Sequence, residues 1–241
     1  MPVELKGLET LDAAMREPLR LFAQRVKDHA GEKVLSLTLY GAVLTAGFDS
    51  KRQTVSNVLV LKEVDLHALR NLAAEGHQFG KSAIAAPLVM TPAFIKASLD
   101  SFPLELIEIH QRHLALFGED YFDKLQFAED HVRLQCEREL KAIAIGIRQG
   151  LVAGSGRESS FGAVAEQAAP ALVRTLRGLV WLKGAKDPKA WPALVAEAEK
   201  QAGCTLTGVR KAVNPPAPFH WHDLEELYQD VEALGRFADA W

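Results

Sequence analysis

A mixed sheet of α/β (α+β) type followed by a C-terminal helical bundle is the fold class the sequence predicts, on three observations. Apolar runs rich in β-branched residues recur between residues 34 and 109, a glycine turn at Gly41 separates two of them, and helical periodicity takes over beyond residue 130. Strands of a sheet covered on both faces read as such unbroken apolar runs. Apolar side chains spaced by three and four mark one face of a helix. A change of domain near residues 110–125 follows, with an α/β domain over 1–115 and a helical domain over 116–241.

Residues 9–30 place Leu11, Met15, Leu19, Phe22 and Val26 on one helical face, with Pro18 marking a break or a first turn. Val34–Tyr40 reads as a strand, Gly41 as a turn, the next few residues as a short helix, and Val58–Leu61 as a second strand. Leu66–Ala74 has helical composition, and Glu75–Lys81 is polar with two glycines, suited to a turn. Ile84–Met90 is β-prone, Thr91 and Pro92 form an N-cap and first helical residue, and Ser101–Ile109 returns to strand-like composition. In the second half His131–Leu151 carries Val132, Cys136, Leu140, Ile143 and Ile147 on one stripe, and glycine and serine at 154–162 end it. Residues 163–182 form a largely buried helix. Asp187 and Pro188 open a helix carrying Trp191, Leu194, Val195 and Ala198. Cys204–Val213 is another short helix, and the NPPAP connector at 214–218 precedes the last one. Leu224, Leu227, Val231, Leu234, Ala238 and Trp241 form its seam, to be packed inside the bundle or across a homodimer.

With 241 residues, 48% hydrophobic and 24% charged, the chain has the composition of a folded protein. A net charge of -3 with dispersed Lys and Arg makes nucleic acid an unlikely partner. Cys136 and Cys204 have neither disulfide-framework nor metal spacing and read as small buried thiols in a reducing compartment. No export-type N-terminus and no run fit to span a bilayer are found, so a cytoplasmic protein without membrane contact is expected.

The stretch LTLYGAVLTAGFDSKRQTVSNVLVL resembles the opening of the nucleotidyltransferase (DNA polymerase beta-like) superfamily. That pattern is a strand, a Gly-Ser or Gly-Gly turn, a short helix, and a pair of alternate carboxylates at the start of the next strand. SFPLELIEI is similar to the later strand carrying the third carboxylate. FPLELIEIHQRHLALFGEDYFDKL with HVRLQCERELKAIAIGIRQGL resembles a bacterial group of nucleotidyltransferase-domain proteins with a helical C-terminal part. The resemblance spans about residues 30–151. It puts Gly41 on the first glycine, Ala42 on the following small residue, Val55 and Asn57 on the paired carboxylates, and Glu105 on the third.

The resemblance implies a degenerate nucleotide site at Gly41, Ala42 and Asn57, with Glu105 as the remaining catalytic candidate and Asn57 and Glu105 as metal candidates. Val is no ligand and Asn is a weak, neutral one, so two-metal chemistry is expected to be impaired. The leading expectation is a noncatalytic binding or regulatory protein that keeps a nucleotide-shaped cleft, without a confident cofactor. The alternatives are a nucleotidyltransferase moving a nucleoside monophosphate from an NTP with Mg2+ or Mn2+, and a helical-domain assembly protein with a protein partner or a second copy.

Other residues draw blander expectations. Gly41 suits a tight strand-to-helix turn, Val55 a sheet core, and Asn57 a hydrogen bond to nearby backbone. Asp49 and Asp65 form no same-face pair around Asn57. His110 and His113, one helical turn apart and followed by Glu119 and Asp120, read as structural before metal-binding. His220 and His222 read as a helix cap or surface. Arg133, Arg138, Lys141 and Arg148 make a solvated face that can draw an anion electrostatically.

Overall fold

The computed structural model describes residues 3–45, 48–51, 53–186 and 190–240. Asp187, Pro188 and Trp241 lie outside them. The chain forms two compact units, Met1–Leu99 with Glu108–Gln126, and Asp100–Ile107 with Phe127–Trp241. The first holds a mixed four-stranded sheet and the second is helical.

In the sheet unit, helix α1 (Ala13–Ala30) starts at Asp12, whose carboxylate accepts from the Ala14 amide at 2.8 Å. Pro18 neither breaks nor begins α1 but lies inside it. Met15, Leu19, Phe22, Ala23 and Val26 are buried on both sides of the proline, and that burial outweighs one lost amide donor. The strands are β1 (Val34–Tyr40), β2 (Ser56–Leu61), β3 (Leu88–Met90) and β4 (His113–Gly118). Their order is β3-β2-β1-β4, with β1 antiparallel to both neighbours and β2 parallel to β3. Leu37 pairs with Leu59 and Leu39 with Asn57, so these side chains share one face. Leu37, Leu39, Val55, Leu59 and Leu61 join the α1 stripe in the core of this unit.

The connecting helices follow local signals. Asp65 caps α2 (Leu66–Ala73) by accepting from the His67 and Ala68 amides, and it also pairs with Lys33 at 2.9 Å. The Lys33 ammonium, followed by these amides, holds the Asp65 carboxyl down at about 2. The glycine-containing segment expected as a turn is mostly a short helix, α3 (Gly76–Lys81), with Phe79 buried. Thr91 caps α4 (Pro92–Ala97) through Phe94 N–H at 3.1 Å, as the Thr-Pro pair predicts.

The expected strand at Ser101–Ile109 is instead helix α5 (Pro103–Gln111). Pro103 supplies a helical φ where no amide donor is needed. Leu104, Leu106, Ile107 and Ile109 are all buried, so the short apolar run fits either period, and its packing selects the helix. The fourth strand, β4, lies in the expected change-of-domain region, where none of its six residues carried a strand expectation.

The helical unit contains α6 (Glu129–Ala153), α7 (Phe161–Leu182), α8 (Trp191–Ala202), α9 (Thr207–Val213) and α10 (Trp221–Asp239). Its core combines Leu104 and Ile107 with the inner faces of these helices. Leu224, Leu227, Val231, Leu234 and Ala238, the described part of the terminal seam, are buried in this unit. Close packing of α9 on α10 depends on Gly208: a Cβ there would stand 2.0 Å from Leu227 N. Cys136 is buried on the α6 stripe, and burial pushes its thiol up to about 12, far from a reactive thiolate.

Candidate functional site

The site begins where β1 ends. Gly41 has φ +75, a left-handed backbone that glycine adopts without a Cβ penalty. Its amide donates to Arg112 O at 3.1 Å, which ties the turn to the segment between α5 and β4. Gly41–Leu44 forms one turn of 3-10 helix. Ala42 closes it, its carbonyl accepting from both Thr45 N (2.9 Å) and Thr45 Oγ1 (2.7 Å).

Across the sheet, Val55 and Asn57 point into the core, 0% and 1% exposed. Val55 N donates to Ala83 O at 2.7 Å and Ala85 N donates to Val55 O at 3.1 Å. Asn57 Nδ2 donates to Ala85 O at 2.9 Å, while its Oδ1 is buried with no hydrogen-bond partner among the described residues. The Asn57 side chain thus pins the loop ahead of β3, the local backbone bond its type favours.

Glu105 belongs to the helical unit and sits in the first turn of α5, where a carboxylate suits the helix dipole. Gln135 Nε2 donates to Glu105 Oε2 at 2.9 Å, and Arg174 Nε stands 3.6 Å from Oε1. Gln135 Oε1 accepts from Leu104 N at 2.8 Å. Glu105 is therefore engaged in anchoring α5, whereas Gly41, Ala42 and Asn57 belong to the sheet unit.

Beside the Gly41 turn lies a hollow of about 400 Å3, lined by Thr10, Leu11, Leu44, His110, Gln111, Arg112 and His113. His113 faces Asp120, Nε2 to Oδ2 at 2.9 Å and to Oδ1 at 3.0 Å, and its Nδ1 faces Ile109 O at 3.0 Å. Both ring nitrogens thus face oxygen acceptors, which fixes the ring in place. Burial pushes the Asp120 carboxyl up, but the Phe122 amide, His113 and the Asp123 amide outweigh it and hold it below the usual range. His110 Nδ1 donates to Phe122 O at 2.8 Å, which fixes that ring. The corner places the Arg112 guanidinium at the hollow, a cationic group that draws an anion without a metal ion. The structural role expected for His110 and His113 fits these contacts, and their spacing carries no signal for the distant residues that complete the hollow.

The remaining candidates resolve into structural pairs. Asp49 accepts from Lys51 N at 2.9 Å. His220 is the N-cap of α10 and faces Glu158 at 3.1 Å, and its ring stacks on His222 at 6.0 Å. Arg133 pairs with Glu137 at 3.1 Å, Lys141 with Glu137 and with Asp239 at 3.8 Å, and Arg148 with Glu232 at 3.0 Å. Among the described residues, no group of three or more His, Cys, Asp or Glu side chains is placed to hold a metal ion. Among them also, no helix is long and apolar enough to cross a membrane. No family model and no curated protein matches the sequence.

Proposed function

We propose that the sheet unit is a nucleotidyltransferase-like module that binds a nucleotide phosphate without turning it over, in a binding or regulatory role. One observation carries this reading: the two strand positions where the resemblance expects paired carboxylates hold Val55 and Asn57, both directed into the core. A divalent cation needs several oxygen ligands in one shell, and these positions offer one neutral oxygen, the buried Oδ1 of Asn57. The hollow beside Gly41 is lined by Arg112, whose guanidinium offers charge-assisted donors to an anion in place of metal.

Calorimetric titration with ATP and GTP tests it, in EDTA and then with Mg2+ or Mn2+. The expected outcome is binding in EDTA that metal changes little, no pyrophosphate release, and a loss of about tenfold in affinity (about 1.4 kcal/mol) for Arg112→Ala. Absence of heat under every condition overturns the nucleotide cleft. Metal-dependent binding with pyrophosphate release, abolished by Glu105→Ala, overturns the noncatalytic reading in favour of transfer.

A further inference from the structure

The outer faces of α6 and α10 carry a second pair of seams that the core of the unit does not use. On α6, Leu134, Arg138, Lys141, Ile145, Arg148 and Val152 recur at alternating spacings of four and three. On α10, Trp221, Glu225, Tyr228, Glu232, Gly235 and Asp239 recur with the same alternation. Such spacing keeps side chains in register along a packed helix pair. Every charge in the first seam is positive and every charge in the second is negative. The apolar members are exposed: Leu134 46%, Ile145 51%, Val152 78% and Trp221 45%.

The two seams border one groove. Its hollows measure about 360 and about 250 Å3, with a floor that includes Leu140, Ala144, Ile147, Leu151, Leu224 and Val231. The helices run antiparallel, Lys141 standing opposite Asp239 and Arg148 opposite Glu232. Arg236 is the basic exception on the acidic side, and it lies 4.0 Å from Glu232.

We infer that the α6–α10 face is a self-association surface, on which a second copy of this chain docks to complete a four-helix bundle. Charge selects the arrangement. A two-fold axis parallel to the helices lays α6 of the second copy over this α10, basic seam on acidic seam, with lysine and arginine at the heights of Asp239 and Glu232. Each bridging carboxylate then lies between cations of both copies. Ile145 of the second copy falls near Gly235, where a Cβ would meet nothing within 4 Å. Val152 falls at the height of Tyr228, four residues beyond the Arg148–Glu232 pair on each helix. A two-fold axis perpendicular to the helices would stack basic on basic and acidic on acidic, and like charges face to face exclude it. All neighbouring helices in the selected bundle are antiparallel, the arrangement of up-and-down bundles.

Sedimentation velocity of the full chain, between about 1 and about 100 μM, tests the inference, because self-association must follow mass action. The expected result is a concentration-dependent passage from one chain to two. The double variant Ile145→Glu, Val152→Glu should remain a single chain throughout with unchanged far-UV circular dichroism, since both side chains are exposed. Leu66→Glu, an equally exposed position in the sheet unit, should associate as the unaltered chain does. A single chain at the highest concentration overturns the inference and leaves the groove to a helix of another protein. A dimer untouched by the double variant overturns it too, by placing the contact elsewhere. Nucleotide titration reads the other unit's hollow, so failure of either reading is visible separately.

Discussion

A buried carboxylate at Asp230 shows how one residue sets a pH dependence. Its Oδ2 accepts from Val209 N at 3.0 Å near the start of α9. Burial pushes its carboxyl up to about 6 against the opposing amides of Val209 and Gly208, with Glu226 and Glu199 adding to the rise. A native value above the unfolded one means that the native state binds the proton more tightly. This group's contribution is present at low pH and is lost as pH rises from the ordinary carboxylate range through about 6. Asp230→Asn keeps an oxygen for the Val209 amide and removes the buried charge. Thermal melts should show it raising stability by about 1 kcal/mol at pH 8 and flattening the slope between about pH 4 and about pH 6. Asp230→Ala, which removes the acceptor, should lower stability by about 1 kcal/mol.

Helix α5 is the element where sequence and structure part. Gln135 is buried on α6 and holds the first turn of α5 by accepting from Leu104 N and donating to Glu105. Gln135→Ala leaves a buried amide donor without its acceptor and should cost about 1–3 kcal/mol in urea unfolding. Gln135→Glu retains the acceptor but sets a second carboxylate against Glu105, so it should recover only part of the loss. The long helices of the second unit were legible because their period is unambiguous over many residues, and β1 and β2 because their β-branched apolar runs flank the Gly41 turn. SFPLELIEI was not, because four buried apolar residues within seven satisfy a strand and a helix alike. The partner that decides the matter, Gln135, lies on another helix. The candidate site was legible in the same uneven way. Gly41 and the core-facing Val55 could be anticipated from turn chemistry and β-propensity, and the backbone hydrogen bond of Asn57 from its short amide. The burial of Asn57 in the core could not, because Asn reads as an edge or turn residue. The hollow could not, since it joins Thr10 and Leu11 to residues 110–113 through tertiary structure.

At the scale of the molecule, the two units have separate cores, and each takes a piece of chain from within the other's span. Leu104 and Ile107 belong to the helical core although α6 begins only at Glu129. A fragment of residues 127–241 should therefore remain helical by circular dichroism yet unfold at lower denaturant than the helical unit of the full chain. Loss of two fully buried aliphatic side chains corresponds to on the order of 4 kcal/mol. A fragment starting at residue 100 should recover that stability. Equal stability of the two fragments would show that α5 contributes nothing to this core.

The pairing of β4 with β1 joins Ser36 to Gly118 and Tyr40 to His113. During synthesis on the ribosome, β1 and β2 emerge long before the strand that covers the remaining edge of β1. Until His113–Gly118 has left the exit tunnel, that edge offers unpaired amides and carbonyls to any neighbouring extended chain. By then Asp100–Ile107 has also emerged, ahead of every helix that buries it. The chain's dangerous interval is thus its middle third, and translation that slows there prolongs the exposure of an open sheet edge and of an apolar segment still waiting for its core.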